Sequence, residues 1–322
     1  MGSSRPTVLD IFCGAGGFAR GFLEEGFNIV LGIDSFKPAA MTYKANFPSA
    51  IVVADDVKVV DYSMLQDLID TGSIDIVIGS PPCEPFTSAN PRRLRDPLDR
   101  LYSDPRGRLV LHFIRILAEI QPKIFIMENV PHIMEGELRK ALKAEFKRAG
   151  YRKVYFNMLR AEDYNTPSHR LRVFISNVRI NPKPSRRRIT VKEALKDLPP
   201  PDTNSIPNHR VATVSRRMLK RIVRLKWGEA AVRFRGDMGR TLLNYIKLDP
   251  NRIAPTVMGS RRFVHPYEHR LLTVREQARL MGFPDTHLFY GGIESQYDQV
   301  GEAVPVPLAR AIAGFLRKHF FE

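Results

Sequence analysis

The chain has 322 residues, 43% hydrophobic and 26% charged, enough for one large domain plus a smaller one. No apolar run approaches the roughly 20 residues that cross a bilayer, no secretory pattern opens the chain, and two cysteines without CxxC pairs or His/Cys clusters argue against a disulfide framework or a metal site. The net charge of +16 is concentrated: residues 181–262 hold 20 Lys and Arg against 6 Asp and Glu, a balance of +14, which favours a polyanionic partner over the bland alternative of an Arg-rich, thermophile-like surface.

Along the chain, the first half alternates β-branched runs with helical stretches. Strands are predicted over residues 8–12, 28–34, 50–54, 74–79 and 123–127, with helices over 18–26 and 109–120 between them. That order predicts an α/β fold with a mostly parallel sheet covered on both faces. Residues 152–159 and 172–177 read as two further strands. Beyond Asn177, the Pro-rich stretches 181–188 and 198–207 read as linker and loops. The basic region that follows, to about His269, has periodicity too weak to assign. Regular structure resumes at 273–281, where Thr273 and Glu276 have capping-box spacing, and residues 306–320 form an amphipathic helix.

Chemistry-bearing residues cluster at the predicted strand ends. Asp10-Ile-Phe-Cys-Gly-Ala-Gly-Gly-Phe18 joins the first strand to the first helix, and Gly14, Gly16 and Gly17 permit a tight turn and close ligand approach. Asp34 ends the second strand, suited to ribose hydroxyls, and Asp55-Asp56 ends the third, suited to an adenine amino group. These residues point to an adenosine-containing ligand and leave a nicotinamide cofactor and S-adenosylmethionine both open. Gly79-Ser-Pro-Pro-Cys-Glu-Pro-Phe-Thr87 follows the fourth strand, and its prolines hold Cys83 at the carboxyl edge of the sheet. A lone cysteine is more often inert core, but a rigid polar loop at a strand end favours a nucleophile. Arg92, Arg93, Arg95, Arg100, Arg106 and Arg108 then mark a loop able to close over a phosphate backbone. Glu128-Asn-Val130 ends the fifth strand toward the same cleft, and alternation puts Arg170 and Arg172 on one face.

In this order, Phe-x-Gly-x-Gly-Gly, Pro-Pro-Cys, Glu-Asn-Val, Arg-x-Arg, the block Arg270 to Pro284 and Gln299-Val-Gly-Glu-Ala-Val-Pro305 resemble the DNA (cytosine-5)-methyltransferase family, of the bacterial and archaeal restriction-modification type. The resemblance spans residues 10 to 305. It implies an S-adenosylmethionine-dependent, Rossmann-like catalytic domain of residues 5–180 plus 290–322, and a small target-recognition domain of residues 181–289. It further implies that Phe12, Gly14, Ala15, Gly16, Gly17, Asp34, Ser35, Asp56, Val57, Pro82, Glu302 and Ala303 bind the cofactor. Cys83, Glu128 and Arg172 would act on a flipped cytosine, with Arg170 supporting Cys83 and its loop. Arg92, Arg93, Arg95, Arg233, Arg235, Arg240, Thr256 and Arg261 would meet duplex DNA, and residues 210–240 would supply base-edge contacts through arginine. A cytoplasmic, nucleoid-associated prokaryotic monomer, accompanied by a cognate restriction endonuclease and independent of membranes, fits that family. Three positions depart from it: Glu84 and Ser168 stand where it usually has Gln, and Glu302 where it usually has Asn.

The chemistry fits these residue types. Addition of a thiolate to C6 makes C5 nucleophilic, a carboxyl group at N3 favours that addition, and an arginine at O2 offsets developing charge. No residue is identified as the acceptor of the C5 proton, and water would serve. Two alternatives stand beside this reading. The family's tRNA-methylating branch has a similar cysteine loop, although its Cys-Phe-Thr motif is absent from the recognition region. A catalytically silent DNA-binding homologue is suggested only by Glu84 and Glu302.

Overall fold

The computed structural model describes residues 5–68, 74–203, 205–235 and 241–322. Short apolar runs form five parallel strands, β1 (Thr7–Ile11), β2 (Asn28–Ile33), β3 (Ile51–Val53), β4 (Ile76–Gly79) and β5 (Ile124–Asn129). Two more, β6 (Tyr155–Arg160) and β7 (Leu171–Ser176), add an antiparallel edge, so the sheet reads β3-β2-β1-β4-β5-β7-β6. Helices α1 (Gly17–Glu24), α2 (Lys37–Asn46), α3 (Tyr62–Leu68), α4 (Pro97–Tyr102), α5 (Leu109–Ile120) and α6 (Leu138–Arg148) connect them. The α/β class and mostly parallel sheet are those expected from the sequence. Strand ends shift by up to three residues, for example at Phe12, whose φ of 59° takes it out of β1.

Why these strands are apolar on both sides follows from the cores they serve. Leu9, Val77, Phe125 and Met127 pack into one core with α5 and α6, while Val8, Ile76, Ile78 and Ile126 pack into another on the opposite face. The chain moves outward through β1, β2 and β3, then returns to the far side of β1 as β4. That reversal opens a crevice at the carboxyl ends of β1 and β4, the usual ligand position in such sheets.

The basic region forms α7 (Val191–Leu195), α8 (Arg216–Ile222), β8 (Ala230–Arg235), β9 (Thr241–Lys247) and β10 (Phe263–Val264). Its three strands form a second sheet, ordered β10-β9-β8. β8 buries none of its side chains fully, so no alternation marked it in the sequence. A third core joins this region to helices α9 (Val274–Arg279) and α10 (Ile293–Glu302), through Ile246, Phe263, Leu272, Met281 and Tyr297. Thr273 and Glu276 do form a capping box at the start of α9. The chain ends in α11 (Val306–Leu316), shorter than the expected helix, and a π turn over Arg317–Phe321. Among the described residues, no helix is long and apolar enough to cross a membrane.

Helix α11 packs against α1, which returns the end of the chain to the large sheet. The close approach depends on Gly21: a Cβ there would collide with the α11 backbone at Ala309 and Arg310. Gly21→Ala should therefore cost about 1–3 kcal/mol. Urea unfolding would show this as a lower midpoint at unchanged slope, and a parental midpoint would mean that the helices are not so tightly apposed.

Candidate functional site

β1 ends inside the sheet, and the chain must reverse at once into α1. Phe12 (φ 59°), Gly14 (φ 52°) and Gly16 (φ 81°) supply the left-handed backbone that this requires. The carboxylate of Asp34, just past β2, accepts the Gly14 amide at 2.8 Å through Oδ2 and the Phe36 amide at 2.8 Å through Oδ1. Burial raises the Asp34 pKa, and the two amides oppose that shift. At Gly16 a Cβ would strike the Phe47 ring, and at Gly17 it would collide with the Val304 carbonyl. His287 reaches the same turn, donating through Nε2 to the Ala15 carbonyl at 2.9 Å. Its burial pushes its pKa down to about 3, so the ring is neutral and this tautomer persists at physiological pH.

A cleft of about 590 Å³ runs from this turn to Cys83. At one end it is lined by Phe12, Gly14, Ala15, Gly17, Asp34, Ser35, Asp56 and Val57; at the other by Pro82, Cys83, Glu128, Arg170 and Arg172, with Glu302 and Ala303 also in its wall. Gly16 shapes the turn without lining the cleft. The Asp56 carboxylate accepts the Lys58 amide at 3.1 Å and pairs with the Lys58 ammonium at 3.2 Å, and its pKa is lowered accordingly.

The cysteine loop is held from both sides. Asn129, at the end of β5, donates through Nδ2 to the Pro81 carbonyl at 3.0 Å, while the Phe86 and Thr87 amides close a turn onto the Cys83 carbonyl at 3.0 and 2.9 Å. Burial raises the Cys83 pKa to about 11; Arg172 opposes the shift, whereas Glu84 and Glu128 add to it. At rest, the sulfur is therefore a thiol. Cys13 is also buried, and its pKa is raised well above the ordinary thiol range. Glu128 and Arg172 form a buried pair, Nε to Oε1 at 2.8 Å.

The hydrogen bonds of Arg170 go elsewhere than to the cysteine loop, although its charge favours the Cys83 thiolate. Its guanidinium donates to the carbonyls of Val257 (2.8 Å), Gly301 (3.0 Å) and Glu302 (3.3 Å). Burial, then the charge of Arg172, lowers its pKa to about 9, which leaves it a cation at neutral pH. Of the departures from the family pattern, Ser168 donates through Oγ to the Leu280 carbonyl at 2.8 Å. Glu84 and Glu302 both line the cleft.

The remaining expected residues lie outside the cleft. The Arg-rich segment is only partly an open loop. Residues 97–102 form α4, and both Arg93 (3.1 Å) and Arg100 (2.7 Å) bond the Oε2 atom of Glu135. Arg92, Arg95, Arg233 and Arg235 are exposed. Arg261 donates through Nη1 to the Thr256 carbonyl at 3.0 Å. Arg240 lies outside the described residues. Sequence reasoning missed Met258, Gly259, Ser260 and Asp298, all in the cleft wall. Gly259 and Gly301 meet so closely that a Cβ on Gly301 would collide with the Met258–Gly259 backbone. Their signal was position, directly after Ala254-Pro-Thr-Val257 and directly before Gln299.

A family model described as C-5 cytosine-specific DNA methylase matches residues 6–318. A protein of Methanocaldococcus jannaschii, provisionally named type II methyltransferase M.MJ0563P, is 48% identical, with 97% of this chain and 99% of that protein covered. Type II methyltransferase M1.HphI of Haemophilus parahaemolyticus is 34% identical over 95% of this chain and 85% of its own length. Among solved structures, a provisionally named DNA modification methyltransferase from an E. coli prophage superposes with a TM-score of 0.79 at 26% identity, covering 98% of this chain and all of that one.

The raised thiol pKa has a direct consequence for reactivity. In the free protein, the alkylation rate of Cys83 should keep rising with pH through about pH 10, because only the thiolate reacts. Iodoacetamide labelling followed by peptide mass spectrometry would check this. A plateau near pH 8 would show an ordinary thiol.

Proposed function

The chain belongs to the C-5 cytosine-specific DNA methylase family and is a DNA (cytosine-5) methyltransferase; on that premise we propose how its residues share the work. The observation that carries the proposal is one continuous cleft, with Cys83 and the Glu128–Arg172 pair at one end and the glycine turn with Asp34 at the other.

Family and fold imply use of S-adenosylmethionine, which supplies, when bound, the methyl group that C5 takes up. The residues present suit it. Gly14 and Gly17 leave a wall with no side chain at the turn, while Asp34 and Asp56 offer acceptors for hydroxyl and amino groups. Phe12, Ala15, Gly16, Ser35, Val57, Pro82, Glu302 and Ala303 complete that end. Cys83 then adds through sulfur to C6 of the cytosine, Glu128 meets N3, and Arg172 donates toward O2. Arg170 acts at a distance, holding the backbone of residues 257 and 301–302 against the cleft.

The target carbon is hidden inside a duplex, so the base must leave the stack at a cost of roughly a few kcal/mol. Phosphate contacts from Arg92, Arg95, Arg233 and Arg235 offset that cost, and Arg240, Thr256 and Arg261 complete the DNA-facing set. Residues 181–289 serve as the target-recognition domain, a reading supported by their +14 balance over 181–262 and their separate sheet. The remaining segments, 5–180 and 290–322, make up the catalytic domain. The enzyme works as a cytoplasmic monomer beside a cognate restriction endonuclease, as the type II names of its relatives suggest. The tRNA and silent-homologue alternatives have less support, because the matched family is one of DNA enzymes and Cys83, Glu128 and Arg172 are all present.

Labelled methyl transfer to unmethylated genomic DNA, followed by sequencing of the modified sites, tests this reading. The parent should methylate C5 within one short motif. Cys83→Ala should retain S-adenosylmethionine binding within about threefold yet yield no product. Product from that variant at more than about one per cent of the parental rate would refute the nucleophile assignment.

A further inference from the structure

Glu84 lines the cleft without a task in this chemistry, and one proton has no acceptor. Glu84 directly follows the nucleophile, and its Oε2 atom is buried without a hydrogen-bond partner. Glu302, at the end of α10, faces the same cleft, and Arg170 holds its backbone carbonyl. Its side chain is wetted by the cleft but crowded by protein. That crowding first, then the charges of Glu84, Asp298 and Asp34, push its pKa up to about 7 against the opposing Arg170. Both residues stand where the resembled family has neutral amides, so this chain has replaced two hydrogen-bonding groups by two proton acceptors.

Resting on the reading of Cys83 above, we propose that Glu84 is the base that takes the proton from cytosine C5, and that Glu302 assists it as a neighbouring charge in the same cleft. The Cys83 thiol gives its proton to water as the S–C6 bond forms, and the C5=C6 electron pair moves onto C5, which takes up the methyl group or, without a donor, a proton from solvent. Glu84 then accepts the hydrogen of C5 as a proton. The C5–H pair restores the C5=C6 bond, the S–C6 bond breaks, and sulfur departs with its electron pair. Glu84 returns the proton to the sulfur or to water. A carboxylate next to the nucleophile in sequence, with one oxygen unpaired among the described residues, has a lone pair free to accept a proton. Glu302 is a positioning residue: above about pH 7 it is ionised and adds a second negative charge to the cleft that holds Glu84, and below it that charge is lost.

The donor-free half of this cycle isolates the step. Duplex DNA tritiated at cytosine C5 is incubated with the parent, Glu84→Gln and Glu302→Asn, and tritium released to water is compared with denaturation-resistant protein–DNA adduct. Glu84→Gln should slow release relative to adduct formation at least about tenfold while DNA binding stays within about twofold. In the parent, release per adduct should rise as pH passes through 7; in Glu302→Asn, that rise should flatten. Parental release per adduct in Glu84→Gln would overturn this proposal alone. A parent that forms no adduct would overturn the assignment of Cys83 as well.

Discussion

A buried cation that pairs with no carboxylate among the described residues holds the parts of this enzyme together. The Arg170 guanidinium lies among protein groups and donates to three carbonyls drawn from two distant stretches of chain, residue 257 and residues 301–302. Burying a charge is costly unless hydrogen bonds replace its water, and carbonyl oxygens of ordered backbone do so without adding a second charge. Removal of the arginine would leave those carbonyls without partners as well. The Arg170 amide is itself fixed, donating to Glu162 at 3.1 Å. From this point, order spreads in two directions: along β7 to Arg172 and Glu128, and through Glu302 to Val304, against which the glycine turn is packed.

The catalytic sheet was legible because its strands are buried on both faces. A run such as Ile76-Val-Ile-Gly79 has no polar alternative, and its bounding Ser-Pro-Pro marks the end. The basic region was illegible for the opposite reason. β8 is half-buried at best, β9 has only two fully buried residues, and its helices span one or two turns. Its core is assembled from single residues far apart in sequence, such as Val191, Ile246 and Met281, so no local period reports it. Turn chemistry was legible wherever a side chain carried it, as at Thr273 and Glu276.

At the candidate site, the residues read from the sequence were those that follow a strand directly, because a strand end fixes a position in space. Asp34, Cys83 and Glu128 each occupy the first few residues after or at the end of a strand. Partners that depend on tertiary approach had no such marker. Nothing in sequence pairs Glu135 with both Arg93 and Arg100, although that carboxylate fastens the Arg-rich segment to the turn before α6. Nor does alternation reveal that Arg170, just before β7, and Arg172, within it, take different partners. One satisfies backbone and the other a carboxylate.

That difference bears on the state of Cys83, the proposed nucleophile. Around Cys83, Arg172 favours the thiolate while Glu128 and Glu84 disfavour it, and burial keeps the proton on sulfur. Arg172 and Glu128 are also each other's partners. A cytosine whose N3 shares a proton with Glu128 would remove much of that negative charge from the neighbourhood of the sulfur. Arg172 would then remain as the dominant nearby charge, and the balance would tilt toward thiolate. Under the proposed mechanism, the arrival of the correct base would itself favour the thiolate. A nucleophile activated only by its substrate stays protected from adventitious alkylation and oxidation in the free enzyme, since both require the thiolate. Under that proposal, burial at Cys83, which works against a nucleophile in isolation, is compatible with catalysis, because the cleft would supply the compensating charge when the base arrives.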